Sequence, residues 1–273
     1  MHFNVSTPSG ATRLKIRSAL LNVMFDATMK AAKGLIRDFG EVEHLQVSKK
    51  GPGDFVSRAD LRAEKIIKET LEKARPGSSF LLEESGEVEG DLAGLRFIVD
   101  PLDGTLNFLH GVPHFAISIA CEKEGQLIAG MTYDPIKDEL FYAERGQGAF
   151  MNDRRLRVSG RDHLTDTLLG VTFPRPGYAG PYNTFEIAKE MNTQVASLRR
   201  TGSAVLDICY VAAGRFDGYW AAQLSPWDMA AAALIVYEAG GYVSALNGKT
   251  DFLEQGNILC GNERVHKSLL KFF

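Results

Sequence analysis

The sequence predicts a layered α/β (α+β) fold built as two lobes, and three observations predict it. Apolar residues recur at helical spacing across two long stretches near the N-terminus. Short apolar runs separated by turns then fill residues 80–143. Beyond about residue 152, strand-like and helix-like stretches alternate. Helices that must bury one face against a sheet give a layered architecture.

Residues 1–11 read as a loose arm. From Arg13 to Phe39 the apolar positions Ile16, Leu20, Val23, Met24, Ala27, Ala31, Leu35 and Phe39 mark a long amphipathic helix that ends at Gly40. Lys50-Gly51-Pro52-Gly53-Asp54 is a turn. A second helix is expected over Leu61–Ala74, with Asp60 placed to cap it. Phe80–Leu82 is a short strand closing at Glu83-Glu84, and Leu95–Val99 a buried strand closing at Asp100. His114–Ala120, Gln126–Tyr133 and Glu139–Ala143 form a meander. In the second lobe, strands are expected at Thr167–Val171, Val195–Leu198, Asp217–Trp220 and Gly256–Cys260. Helices are expected at Pro181–Met191, Ser203–Ala213 and Trp227–Ala239, with a short one at the end. The lobes are divided near residue 150: residues 1–150 carry most of the acidic residues discussed below, and residues 151–273 carry Asp228.

The 273 residues suffice for a large core in one domain or two. A formal net charge of -3 gives no electrostatic reason to expect nucleic acid as a direct partner. Cys121, Cys209 and Cys260 form no CxxC pair, and reduced buried thiols in a cytoplasmic protein are expected. The first residues lack the pattern of a secretory signal, and no apolar run is long enough to span a membrane.

Chemistry is concentrated where strands stop at carboxylates. In Phe97-Ile98-Val99-Asp100-Pro101-Leu102-Asp103-Gly104-Thr105, three β-formers lead to Asp100, and Pro101 is expected to end the ladder. A loop can then turn Asp103 toward the same point. Gly104-Thr105 starts a turn or helix whose free N–H groups suit an anion. Two acids so close repel unless a cation lies between them, and their hard oxygens suit magnesium. A pair of such ions can activate water and stabilise a leaving oxygen. The spacing DxxD is also common in loops that bind nothing. Glu83 and Glu84 on extended backbone point opposite ways, so one of the two can face a metal. Asp228, after Pro226-Trp227, is either a helix cap or a further ligand. Lys50, Asp54 and Asp60 surround a glycine-rich turn and by themselves read as routine surface residues. GxSxG, the P-loop and GxGxxG are all missing from the sequence. His110 and His114 are separated by Gly111 and Pro113 and do not form a zinc pair.

Four ordered segments carry a resemblance: Asp54-Phe55-Val56-Ser57-Arg58-Ala59-Asp60, then Glu83-Glu84-Ser85-Gly86, then Asp100-Pro101-Leu102-Asp103-Gly104-Thr105, then Trp227-Asp228 followed by Glu238-Ala239-Gly240-Gly241. With them the chain resembles the inositol monophosphatase family over roughly residues 15–265, and especially its bacterial extragenic suppressor-type members. The resemblance implies an α-β-α-β-α sandwich with metals between the two lobes. It implies magnesium, two or three ions. Glu83, Asp100 and the carbonyl of Leu102 would hold the first, and Asp100, Asp103 and Asp228 the second; a third would lean on Glu83. Thr105, Asp60 and Glu83 are the implied catalytic residues, with Thr105 and Asp60 orienting and deprotonating water. Asp103, Gly104, Thr105, Gly202, Ser203 and Ala204 are the implied substrate contacts. Lys50, or Lys49 beside it, matches the lysine of a mobile loop. The resemblance also implies a small phosphate monoester substrate, lithium sensitivity, a homodimer and, for some bacterial relatives, a protein partner in RNA metabolism.

One position departs from the family pattern. Members acting on inositol phosphates have a glutamate seven residues before the WD aspartate, where this chain has Ala221. Losing that acceptor is expected to relax selectivity for inositol. Fructose 1,6-bisphosphate, histidinol phosphate and 3'-phosphoadenosine 5'-phosphate are therefore alternative substrates.

Overall fold

The computed structural model describes residues 18–41, 47–51, 54–90, 94–178 and 180–273, and within 47–57 it describes the backbone path only. The expected N-terminal arm lies outside the described residues.

Helix α1 spans Ala19–Phe39. Ser18 caps it by accepting the N–H of Leu21 on Oγ at 3.0 Å, and it stops at Gly40 as expected. Leu21, Met24, Ala27, Thr28, Ala31 and Leu35 form its buried stripe. A hairpin of β1 (Val47–Gly51) and β2 (Asp54–Ser57) follows and leads straight into α2 (Arg58–Ala74). Because α2 begins at Arg58, Asp60 lies inside its first turn and is buried, so it is not the cap that the sequence suggested.

The first sheet has eight strands in the order β10-β9-β8-β7-β6-β5-β3-β4. They are β3 (Ser79–Leu82), β4 (Gly86–Val88), β5 (Arg96–Asp103), β6 (Ala116–Lys123), β7 (Gln126–Asp134), β8 (Glu139–Glu144), β9 (Gly148–Met151) and β10 (Arg154–Arg155). Only the β3–β5 pair is parallel. A short helix, α3 (Thr105–Leu109), links β5 to β6.

The second sheet has the order β12-β11-β13-β15-β14. Its strands are β11 (Leu168–Thr172), β12 (Ser197–Arg199), β13 (Gly218–Ala222), β14 (Tyr242–Ser244) and β15 (Asn257–Gly261), interleaved with α4 (Thr184–Met191), α5 (Ala204–Ala212), α6 (Ala230–Glu238), α7 (Phe252–Gln255) and α8 (Glu263–Leu269). Strands β12, β11 and β13 run parallel, and β15 runs against both β13 and β14.

Apolar cores hold five layers together. Helices α1 and α2 pack on the outer face of the first sheet through Met24, Leu35, Ile67, Phe97, Val99 and Ile119. Helices α5 and α6 fill the space between the sheets, with Leu206, Ile235, Phe141, Tyr219 and Ile258 in one cluster. Trp220, Met191, Leu259 and Leu269 form the core under α4 and α8. The alternation of Tyr219 and Trp220 between two cores is the period-2 signature of a strand buried on both faces. The order is thus α-β-α-β-α, as the resemblance implied. Helix α6 is buried on every side from Ala230 to Val236, which its run of alanines allows, and it lies tight against β7. A Cβ on Gly130 would stand 2.5 Å from the Ala231 carbonyl oxygen. Cys121, Cys209 and Cys260 are buried free thiols.

Strand β5 corrects the sequence reading. It does not end at Asp100 but continues to Asp103. Asp100 pairs with Ser118 and Asp103 with Ala116, so three steps on β5 match two on β6. This is a β-bulge, which accommodates Pro101 in the strand.

Candidate active site

In a regular strand, residues three apart face opposite sides. The bulge changes that for Asp100 and Asp103. Phe97 and Val99 enter the core under α1 and α2 while Ile98 faces Ala230 and Ala231. Beyond the bulge it is Leu102 that joins the outer core. Asp103 is thereby brought to the side of Asp100. Asp228 arrives from the 3-10 turn Pro226–Asp228 ahead of α6. Oxygens of Asp100, Asp103 and Asp228 all lie within 4.8 Å of one another.

Each acid is held by the backbone. Asp100 accepts the Leu102 N–H on Oδ1 at 2.9 Å. Asp103 is clamped at the N-terminus of α5: its Oδ2 accepts the Ser203 hydroxyl and the Val205 N–H, the latter at 2.9 Å, and the Ala204 N–H also bonds to it. Asp228 accepts the Ser225 N–H on Oδ2 at 2.8 Å, closing a capping box. Asp228 is thus the third residue of a turn capped by Ser225, rather than the cap itself, and it also lies in the acidic cluster. The helix expected from Trp227 begins instead at Ala230, after the turn that Pro226 starts.

Glu83, just past β3, forms a side-chain hydrogen bond with Asp100. Burial raises its pKa to about 8, helped by the charge of Asp228 and opposed by that bond; Asp60 and Glu84 add smaller upward pushes. Burial, then the charges of Glu83, Asp103 and Asp228, hold Asp100 well above the usual carboxylate range. Asp103 is raised by burial to about 6, less than its surroundings alone would give, because Ser203 and the two N–H groups stabilise its anion. The four carboxyls have only oxygen to offer, and neighbouring carboxylate charges disfavour the ionisation of Glu83 and Asp100. A hard divalent cation fits that donor set.

Glu64 is a residue that the sequence reading passed over. It lies one turn beyond Asp60 on α2 and is buried. Its carboxylate accepts the Glu84 N–H at 2.8 Å and the Ser85 hydroxyl, and so fixes the turn that carries Glu83. The i, i+4 spacing on a helix was the available signal.

Gly104 and Thr105 follow Asp103 directly in the chain. Gly104 has φ +91°, and a Cβ there would stand 3.1 Å from the His114 carbonyl. Thr105 donates its hydroxyl to the Leu102 carbonyl at 2.9 Å, leaving that carbonyl a second lone pair. Gly202, Ser203 and Ala204 lead into α5 beside Asp103. Ala221 is fully buried on β13. Gln223 is bonded through Oε1 to the Arg175 N–H at 2.9 Å. Lys50 and Lys49 belong to β1 rather than to the turn itself, and their side chains lie outside the described residues, as does that of Asp54.

The model of the inositol monophosphatase family matches residues 17–272. An inositol-1-monophosphatase of Mesorhizobium japonicum is 56% identical over 255 residues, covering 93% of this chain and 96% of that one. The Nus factor SuhB of Pseudomonas aeruginosa is 44% identical, covering 92% and 94%. The crystal structure of the extragenic suppressor protein suhB from Bartonella henselae superposes with a TM-score of 0.89 at 52% identity, covering 93% of this chain and 98% of that one.

Proposed function

This chain belongs to the inositol monophosphatase family, and from that premise we propose that it is a magnesium-dependent phosphatase acting on a small phosphate monoester, inositol monophosphate first among them. The observation that carries the reading is the convergence of Asp100, Asp103 and Asp228, from two distant segments, within 4.8 Å.

Glu83, Asp100 and the Leu102 carbonyl would hold one magnesium ion, Asp100, Asp103 and Asp228 a second, and Glu83 would support a third. Bound magnesium would supply Lewis acidity at the phosphoryl group and lower the pKa of a water. The protein's own groups do the rest. The Thr105 hydroxyl donates its hydrogen bond to the Leu102 carbonyl, so its oxygen is an acceptor for water. Asp60, whose charge reaches Glu83, is the second acceptor. The N–H groups of Gly104 and Thr105 would receive phosphate oxygens, and the Gly202–Ala204 segment the hydroxyls of the leaving alcohol. With water as the nucleophile no covalent intermediate is formed.

Ala221 supports a broad form of this reading. A buried methyl group cannot accept a hydrogen bond from a sugar hydroxyl, and an acceptor of that kind is worth about 1.5–3 kcal/mol when charged. Fructose 1,6-bisphosphate, histidinol phosphate and 3'-phosphoadenosine 5'-phosphate therefore stand beside inositol 1-phosphate as substrates. Phosphate release from these four and from glycerol 2-phosphate, with and without magnesium and lithium, tests both parts. Release from none of them under any divalent ion overturns the phosphatase; release from inositol 1-phosphate alone overturns the broad form.

A cytoplasmic homodimer completes the reading; among the described residues no helix is long and apolar enough to cross a membrane. A second reading, binding to a protein partner in RNA metabolism, is favoured by similarity to proteins named Nus factor SuhB. Cellular function retained in an inactive Asp100→Asn variant would support it.

A further inference from the structure

Beside the acids, a second set of polar groups joins the two sheets. Asp134, fully buried at the end of β7, binds Lys137 Nζ at 2.5 Å. Lys137 Nζ lies 3.2 Å from His114 Nδ1 and donates to the Pro113 carbonyl at 3.3 Å. His114 Nε2 lies 2.9 Å from Thr201 Oγ1. The Thr201 hydroxyl donates to Oδ1 of Asp207 at 2.5 Å. Asp207 is fully buried on α5.

Donor logic fixes the state of the histidine. An ammonium group can only donate, so Nδ1 accepts from Lys137. The Thr201 proton is committed to Asp207, so the Thr201 oxygen accepts from Nε2–H. His114 is therefore neutral with its proton on Nε2. Its pKa, lowered to about 4 by burial and then by the Lys137 charge against the opposing Asp134, is in keeping with that state. A second clip joins the same two loops: Asn107 Nδ2 donates to the carbonyls of His114 at 2.8 Å and Thr201 at 3.0 Å.

Thr201 is followed by Gly202 and by Ser203, whose hydroxyl bonds to Asp103. The chain from Lys137 to Asp207 therefore passes through Thr201, the residue immediately before the segment read above as the substrate contact. We propose that His114 is a positioning residue that, through Thr201, fixes Gly202 and Ser203 of the second sheet's edge against the first sheet for binding the alcohol portion of the substrate. The role rests on the substrate reading of Gly202–Ala204. Asp103 keeps its bonds to Val205 and Ala204 without His114, so the loss falls on substrate binding more than on the chemical step.

His114→Ala, His114→Gln and Thr201→Val test this, with two readouts. One is amide hydrogen exchange over residues 201–205. The other is KM and kcat for inositol 1-phosphate. His114→Ala and Thr201→Val should speed exchange and raise KM about tenfold, with kcat within about threefold, the size of one lost hydrogen bond. His114→Gln keeps a donor near Nε2 and should restore both. Unchanged exchange or unchanged KM in His114→Ala overturns the proposal, as does a Gln variant no better than Ala. If His114→Ala does not fold, Thr201→Val, nearly isosteric, carries the same comparison. If the wild-type protein hydrolyses no monoester, the proposed function fails, while the exchange comparison still decides whether His114 holds the segment.

Discussion

The carboxyl groups of Glu83 and Asp100 are hydrogen-bonded to one another. A bond between two carboxyls needs a proton, so without metal one of the pair is neutral. Without a metal the pair therefore keeps a proton, which a bound cation would have to displace.

This sets the pH dependence of the metal-free fold. Glu83 moves from an ordinary 4.5 to about 8 in the folded protein, and Asp103 from 3.8 to about 6. Across those windows the folded state binds more protons than the unfolded one, so stability falls as pH rises. The contribution is fully present below pH 4.5 for Glu83 and is lost by about 8. Melting temperature in EDTA should decline over that window, and saturating magnesium should flatten the decline. A flat profile in EDTA would count against burial as the force that disfavours the charged forms of these acids.

Asp228→Asn should separate the two jobs of that residue. The amide oxygen can still accept the Ser225 N–H, so the cap survives, while the negative charge is gone. Activity should fall about 10²–10³-fold, typical for loss of a group that stabilises transition-state charge, with melting temperature held or raised. Asp228→Ala loses both and should also cost about 1 kcal/mol of stability. Thermal denaturation beside phosphate-release kinetics distinguishes the pair.

Glu64→Ala should weaken magnesium binding without touching a proposed ligand. It strips the Glu84 N–H and Ser85 hydroxyl of their acceptor, at a cost of about 1–3 kcal/mol, and frees the turn behind Glu83. Calorimetric magnesium titration should show lower affinity, and Glu64→Gln, which keeps an acceptor oxygen, should fall between. Equal affinity in all three proteins would make Glu64 a residue of stability alone.

Gly104→Ala should be poorly tolerated. Its φ of +91° is one that residues with a Cβ avoid, and the new methyl would press on the His114 carbonyl. The backbone penalty alone is about 1–2 kcal/mol. Because Gly104 separates Asp103 from Thr105, kcat/KM should drop along with melting temperature. Full activity in the variant would show that the turn can move without disturbing its neighbours.

What was legible in the sequence divides along physical lines. The apolar stripe of α1, the strand closing at Glu83, the apolar run into Asp100 and the N-terminus of α5 at Ser203 are local patterns, and they stand in the fold where expected. The short strands β4, β9 and β14 carry too few residues to show a period. The bulge at Pro101 was read as a strand end because proline removes a ladder donor wherever it stands. Most of the acidic site itself was in view, since its acids punctuate apolar runs. Its supports were not. The clamp on Asp103 comes from Ser203 and Val205, about a hundred residues away, and no local window contains it. Glu238, part of the last family motif, accepts the N–H groups of Gly146 and Gly148; its chemistry is that of a turn support.

Strand β5 can be regarded as a ruled line with a phase slip of one residue at Pro101-Leu102. Before the slip, inward and outward faces are in step with β6 for the ladder; after it, they have changed places. One further residue on β6, beside Ile117, would bring both halves back into step and heal the ladder. It would also turn Asp103 away from Asp100 and break its hold on α5. The sheet is best served by an unbroken ladder and the two carboxylates by the slip, so the bulge marks where the chain gives up regularity for chemistry.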